Sequence, residues 1–401
     1  MYKKPDFTPT RNEMLRILED NIKPLSNTET ISLIAAAGRI CAEEIYAKNN
    51  LPNKPVSACD GIMVRFADFE HGIPDTSSWQ EGIEYSFSNT GVAICENYDT
   101  VIAIEGVKFG QDRKIILLDC PVKRGQYVGA VGGQVKEGEL LATKGEILTP
   151  ALIGILFTCG ILNIKVFTKP KVAFIPTGDE LVPAGFEIPL GKNVESNSFM
   201  LKAYIEECGG EAILYPIIQD KFEKIQEAIL SAVQASNLVL ICAGSSKGSK
   251  DFTMEILESI GNIIVHELGH GPGKHCSLTY VGDTPVVGLP GPPNGADLVS
   301  ELYVKNTLRL MQMQPVQIPH TVEAVLTKDI KGRNFDFMEY IKVFIKNGQY
   351  YARPIVMQGK TRSELYHAHN ARIYLKCKTV HKAGDVISAE MRCPLEYIRE
   401  E

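Results

Sequence analysis

Apolar and polar positions divide the chain into blocks of different texture. Residues 8–25 carry Met14, Leu15, Ile17 and Leu18 at helical spacing, with Thr8 or Thr10 placed to cap the helix. A second helical stretch is expected over TETISLIAAAGRICAEEIYA, ending near Ala47, before NNLPNKPV reads as a linker. From Ser57 to about Leu141, short β-prone runs (IMVRFADF, IEYSFSNTG, DTVIAIEGVKF, KIILLDC) are spaced by Gly, Asp and Pro, which predicts a small β-rich domain. LATKGEILTPALIGILFTCGILNIKVF then returns to a helix with an apolar stripe, so the β-rich stretch reads as an insertion into a helical element.

From Lys171 the pattern alternates regularly. KVAFIP, AILYPII, LVLICAG and TPVVGLPG read as strands. SNSFMLKAYIEECGG, DKFEKIQEAILSAVQAS, DFTMEILESIG and PNGADLVSELYVKNTLRLMQM read as the helices between and after them. This predicts a doubly wound α/β domain. After MQPVQIP, the runs TVEAVLT, FMEYIKVFIKN, QYYARPIVM, ARIYLKC and DVISAEMR predict a small closed or sandwiched β domain. The expected division is residues 1–50 with 142–168 as domain I, 51–141 as domain II, 169–314 as domain III and 315–401 as domain IV.

Composition narrows the class. At 401 residues the chain exceeds one ordinary core, and 44% hydrophobic with 22% charged residues is globular. A net charge of −6 gives no support for nucleic-acid or anionic-membrane binding, so any positive potential is local. The ten cysteines are scattered with no C-x-x-C pair, as for free thiols in a reducing compartment. The N-terminus lacks a signal-peptide core and no long apolar span occurs, so the expected location is the cytoplasm.

The candidate chemistry lies at the strand ends, because open α/β sheets bind ligands beyond the carboxyl ends of their strands. There stand Thr177-Gly178-Asp179-Glu180, then Gln219-Asp220, then Gly244, Ser245, Ser246, Gly248 and Asp251. Gly271-Pro272-Gly273-Lys274 and Gly288-Leu289-Pro290-Gly291-Pro292 follow. Acids beside glycine-rich N–H donors and a lysine suit an anionic ligand held with a divalent cation such as Mg²⁺. The plainer reading makes Asp220 and Asp251 helix caps and the glycines turns. His266-Glu267-Leu268-Gly269-His270 spells the zinc motif H-E-x-x-H, but GNIIV before it and GPGKH after it predict a strand entering a turn. His367 and His369 read as exposed loop histidines.

The motifs PTGDEL (176–181), ESNSFML (195–201), AGSSKGSKDF (243–252), GPGKH (271–275) and VVGLPGPPNGA (286–296) resemble the molybdopterin molybdenumtransferase family, MoeA and the gephyrin E domain. SACDGIMV (57–64) and Thr90-Gly91 with DTVIAIE (99–105) match in the same order. The resemblance implies a multidomain α/β-plus-β fold, with a central doubly wound, MogA-like, molybdopterin-binding domain. A helical domain, an inserted β-rich domain and a C-terminal β-barrel-like domain would accompany it.

It also implies a homodimer that inserts molybdate into adenylylated molybdopterin with Mg²⁺ and releases AMP. Candidate partners are a MogA-like adenylyltransferase and molybdoenzymes, with no nucleic acid and no membrane. By this match the catalytic residues would be Asp60, Glu180, Asp220, Asp251 and Lys274, with Glu180, Asp220 and Asp251 as metal ligands. Thr90, Thr177, Gly178, Asp179, Gly244, Ser245, Ser246, Gly248, Gly273, Pro290 and Gly291 would hold the ligand. The family's R-R-R-G-E-D is GAVGGQ here, ending at Gln134, and its two lysines before P-G-K fall at Glu267 and Gly271. These departures motivate an alternative: a non-catalytic or altered-specificity protein of the same fold, for example one handling tungstate.

Overall fold

A computed structural model describes residues 7–110, 114–185, 187–243, 253–356 and 358–401. The chain forms two compact units, Thr28–Phe167 and Met1–Asn27 with Thr168–Glu401.

In the first unit the strand pairs are nested. Thr28–Ser32 pairs antiparallel with Asn163–Phe167, and Ile45–Tyr46 with Leu140–Ala142. Inside these, Val56–Ser57 pairs with Val128–Gly129, and Gly61–Val64 lies between Ser86–Ser88 and Thr100–Ala103. Three apolar clusters follow the nesting, one around Leu33, Cys41, Leu148, Leu156 and Val166, one around Ile62, Val64, Phe69, Ile102 and Leu117, and a small one of Met63, Tyr98 and Val101. The expected helix over 28–47 is not there: its start is a strand, followed by a 3₁₀ turn at Leu33–Ala35. Thr28, Thr30 and Ile31 are β-branched, and the pleated ladder with Asn163–Phe167 suits their stiff side chains better than a helix. The helical part downstream is confined to Pro150–Thr158, where Pro150 takes a first-turn position and Thr149 Oγ1 accepts from Leu152 N–H.

The second unit begins with helix α1 (Arg11–Asn21), capped by a reciprocal Thr10/Glu13 box. Its Met14 and Leu18 are buried in one core with Val172, Phe174, Leu238 and Leu240, and that burial holds the helix against the α/β sheet.

The α/β elements are β1 (Lys171–Pro176), α2 (Asn197–Glu207), β2 (Glu211–Leu214), α3 (Phe222–Ala235), β3 (Leu238–Ala243) and α4 (Thr253–Ile260). β4 (Asn262–Val265), β5 (Ser277–Val281), β6 (Thr284–Pro290) and α5 (Pro293–Val299) follow. A π-helical turn, Ser300–Val304, joins α5 to α6 (Lys305–Met311). The sheet order is β2-β1-β3-β6-β5-β4, parallel across the first four strands and antiparallel at β5 and β4. Alternate residues of β1 feed opposite cores: Val172 and Phe174 face α1 and α2, while Ala173 and Ile175 face α3 and α4. Double-sided burial is why these strands read as unbroken apolar runs. The chain leaves β1 toward β2 and returns to β3 on its other side, so a crevice opens beyond the carboxyl ends of β1 and β3.

The C-terminal strands are β7 (Thr321–Leu326), β8 (Asp336–Lys346), β9 (Gln349–Pro354), β10 (Ala371–Leu375) and β11 (Val386–Met391). They follow the order β8-β9-β7-β11-β10, and β10 pairs back to β8, which closes a five-stranded barrel. β8 is long enough to pair with β9 through one half and β10 through the other. A helix, α7 (Arg362–Ala368), interrupts the strands with its own Thr361/Glu364 capping box. His270–Gly271 adds a parallel pairing to the start of β8. Arg392 bonds Asp297 at 2.7 Å and Glu301 at 3.2 Å, and Arg372 bonds Glu301 at 2.9 Å, joining the barrel to α5 and the π turn.

Candidate active site

Beyond the carboxyl ends of β1, β3 and β6 lies a cleft of about 450 Å³. Thr177 and Glu180 from the loop after β1, Asn193 to Asn197 leading into α2, Cys242 of β3 and Gly291 to Pro293 after β6 line it. Thr177 Oγ1 donates to the Cys242 carbonyl at 2.7 Å and so ties the ends of β1 and β3 together. Gly178 sits at φ +148, and a Cβ there would come within 2.9 Å of the Glu180 carboxylate. A glycine therefore lets the chain turn while that acid folds back over it. Asp179 N–H donates to Asp220 at 3.4 Å and Asp220 N–H to Asp179 at 3.2 Å, so the loops after β1 and β2 are laced by reciprocal bonds. Gly178 N–H to the Ile218 carbonyl completes the lacing.

The wall contains polar groups that the strand-end reading of the sequence passed over. Glu195 is buried and its Oε1 accepts from Ser198 N–H at 3.0 Å, holding the first turn of α2. Asn197, also buried, donates to the Gly291 carbonyl at 3.0 Å and to Cys242 Sγ at 3.3 Å. Its Oδ1 has no hydrogen-bond partner among the described residues. Burial pushes the Cys242 thiol up to about 12, so it stays protonated and inert. Arg362 of α7 also borders the cleft, with Nη1 3.4 Å from Ser196 Oγ. The ESNS motif pointed at the α2 residues, and T-R-S-E before Leu365 was a readable capping box for α7.

The expected site residues divide as follows. Thr177 and Glu180 line this cleft, and Gly291 forms its edge beside Pro290. Gly178 and Asp179 border instead a neighbouring cavity of about 620 Å³ toward β2. Gly273, at φ +99, packs so closely that a Cβ would lie 2.7 Å from Val299, which brings its turn against α5. Lys274 is not free to serve a phosphate alone: it pairs with Glu267 at 3.6 Å. Gly244, Ser245, Ser246, Gly248 and Asp251 lie outside the described residues. Among the described residues, no group of three His, Cys, Asp or Glu side chains could hold a metal ion.

Asp60 and Thr90 belong to the other unit and meet there. Thr90 N–H and Oγ1 both donate to Asp60 Oδ1, at 2.7 and 3.0 Å. These two bonds hold the exposed carboxyl below the usual aspartate range. The next residue, Gly61, runs so close to the neighbouring strand that a Cβ would overlap the Ile102 carbonyl.

The H-E-x-x-H segment follows the strand Asn262–Val265 and turns into the short pairing at His270–Gly271, as its flanks predict. His270 is fully buried, 2.5 Å from the Tyr303 hydroxyl. The loop reading of His367 and His369 needs correction: His367 is in α7, and His369 packs on Tyr340 with ring centroids 4.2 Å apart and accepts from Arg392 at 2.7 Å. All ten cysteines are free; Cys41, Cys242 and Cys276 are buried, whereas Cys95 and Cys377 are exposed. No helix of the described residues is long and apolar enough to cross a membrane.

Fold and cleft define a multidomain protein built around a doubly wound ligand-binding α/β domain. The chain belongs to the molybdopterin molybdenumtransferase family. Residues 10–160 match the MoeA N-terminal region (domain I and II), and residues 173–310 match the "Probable molybdopterin binding domain". It is 28% identical over 382 residues to the molybdopterin molybdenumtransferase of Haemophilus influenzae, covering 91% of this chain and 94% of that protein. It is 30% identical over 305 residues to a Methanocaldococcus jannaschii protein named for molybdopterin biosynthesis, covering 72% and 75%. The crystal structure of the molybdopterin biosynthesis MoeA protein from Pyrococcus horikoshii superposes with a TM-score of 0.75 at 28% identity, covering 96% of this chain and all of that one.

Proposed function

We propose that this chain inserts molybdate into adenylylated molybdopterin with release of AMP, using the cleft at the carboxyl ends of β1, β3 and β6. Family membership and the convergence of the Thr177–Glu180 loop, the α2 N-terminal turn and the Pro290–Pro293 corner on one cleft support this reading. Thr177 fixes the strand ends, and Gly178 allows the close turn that sets Glu180 on the rim. Asp179 and Asp220 bring two carboxylates to adjoining loops. By the family match Glu180, Asp220 and Asp251 would be the carboxylates that supply hard oxygens to Mg²⁺, although no three-acid cluster stands among the described residues. When bound, Mg²⁺ would neutralise charge on the phosphates and the molybdate.

By the family match Asp60 would be a further catalytic residue, its carboxylate kept ionised by Thr90. By the same family reading the chain works in the cytoplasm as a homodimer. A MogA-like adenylyltransferase would supply its substrate and molybdoenzymes would receive its product. AMP release from adenylylated molybdopterin with molybdate and Mg²⁺ tests the proposal; no turnover at high enzyme concentration rejects it.

One observation favours the alternative of a non-catalytic or tungstate-handling pterin-binding protein. Glu267 partly neutralises Lys274, and Gly271 stands in the place of a family lysine with Phe337 packed against it. Tight molybdopterin binding without AMP release would select that reading.

A further inference from the structure

Two cavities meet along the chain that enters α2. Leu181–Val182 pairs in parallel with Asn193–Val194, and Glu195 N–H donates to the Val182 carbonyl at 2.9 Å, so this segment lies against the loop after β1. Glu195 borders both the strand-end cleft and the neighbouring cavity of about 620 Å³. The two spaces differ in chemistry. Thr177, Glu180 and Asn197 line the cleft, whereas Pro183, Phe199, Tyr215, Pro216 and Ile217 give the neighbouring cavity an apolar wall.

Two acids border that apolar space. Asp179 is exposed and accepts from Asp220 N–H, whereas Glu195 is only 7% exposed. One Glu195 oxygen accepts from Ser198 N–H at 3.0 Å, which fixes the carboxyl group and leaves most of its acceptor sites open. A buried acid with so few donors is costly unless a further donor arrives with the ligand.

We propose that Glu195 is a specificity residue that reads the 2-amino-4-oxo edge of a pterin. The bicyclic ring would lie in the apolar cavity and the phosphate end in the strand-end cleft. An aminopyrimidinone edge presents two parallel N–H donors, from ring N3 and the 2-amino group, which pair with a carboxylate as a guanidinium does. The largely exposed Phe199 ring and Tyr215 give a flat ligand something to stack on. That the ring is a pterin rests on the function proposed above; the preference for a two-donor edge does not.

The test is fluorescence titration of the full-length chain with pterin and with lumazine, which carries a 2-oxo group in place of the 2-amino group. Wild type is expected to bind pterin at least roughly tenfold more tightly, the worth of a hydrogen bond to a charged group. In E195Q the amide oxygen can still accept from Ser198 N–H, while the amide NH₂ opposes the donors of the pterin. E195Q is therefore expected to abolish or reverse the preference with its melting temperature almost unchanged. Equal wild-type affinities for the two rings, no pterin binding by wild type, or a preference that survives in E195Q overturns the assignment and leaves Glu195 a helix cap. The wild-type comparison decides the matter even if E195Q fails to fold. If the preference depends on Glu195 while no AMP is released from adenylylated molybdopterin, the pterin subsite stands and the transfer reaction falls.

Discussion

His270 offers a pH dependence that can be worked from the structure. The imidazole is 0% exposed, bonded to Tyr303, and set among Tyr374, Asp336 and the Arg11 guanidinium. Burial first, then Arg11, pushes it down to about 4 from the ordinary 6.5. Between those values the unfolded chain takes up a proton that the folded chain refuses. The stability tied to His270 is therefore complete above pH 6.5 and is lost as the pH falls toward 4. At about 1.4 kcal/mol per unit, the loss is roughly 2 kcal/mol by pH 5 and about 3 kcal/mol by pH 4. His270→Gln removes the titration while keeping a polar side chain. Urea unfolding of both proteins between pH 8 and pH 4.5 gives a difference in which the other titrating groups largely cancel. That difference should be flat above pH 7 and then fall for the wild type by roughly 2 kcal/mol by pH 5. A difference that stays level through pH 5 would falsify the buried, neutral imidazole.

Other outcomes follow from the same coordinates. Gly178→Ala should cost roughly 1–3 kcal/mol through its backbone conformation and push Glu180 off the rim, read as lower thermal stability together with slower AMP release. Thr90→Val removes one of the two donors to Asp60; an NMR titration should find the Asp60 pKa raised toward the ordinary aspartate value, with the melting temperature almost unchanged. Arg392→Ala leaves Asp297 and Glu301 short of a buried partner, and urea unfolding should register a loss of roughly 3–5 kcal/mol. Metal analysis of the purified chain should find no zinc attributable to His266 and His270, since His270 is sealed against Tyr303.

Local pattern carried the α/β core, because a strand buried on both faces must be apolar throughout and a helix between strands must show its own period. Lys171–Pro176, Leu238–Ala243 and Phe222–Ala235 were legible for that reason, as were the barrel strands and the family motifs at the strand ends. What lay beyond the sequence was decided by partners far along the chain. Thr28–Ser32 became a strand because Asn163–Phe167 lay beside it, and α1 joined the α/β core because the sheet presented an apolar face for Met14 and Leu18. Lys274 was spoken for by an acid that reads as part of a zinc motif, and Arg362 borders the cleft on a helix of the barrel, which Arg392 ties to Asp297 of α5 and Glu301 of the adjoining turn. Sequence period reports which face of an element is buried; it holds no information about which distant surface does the burying, and the ion pairs and the full outline of the cleft depend on that choice.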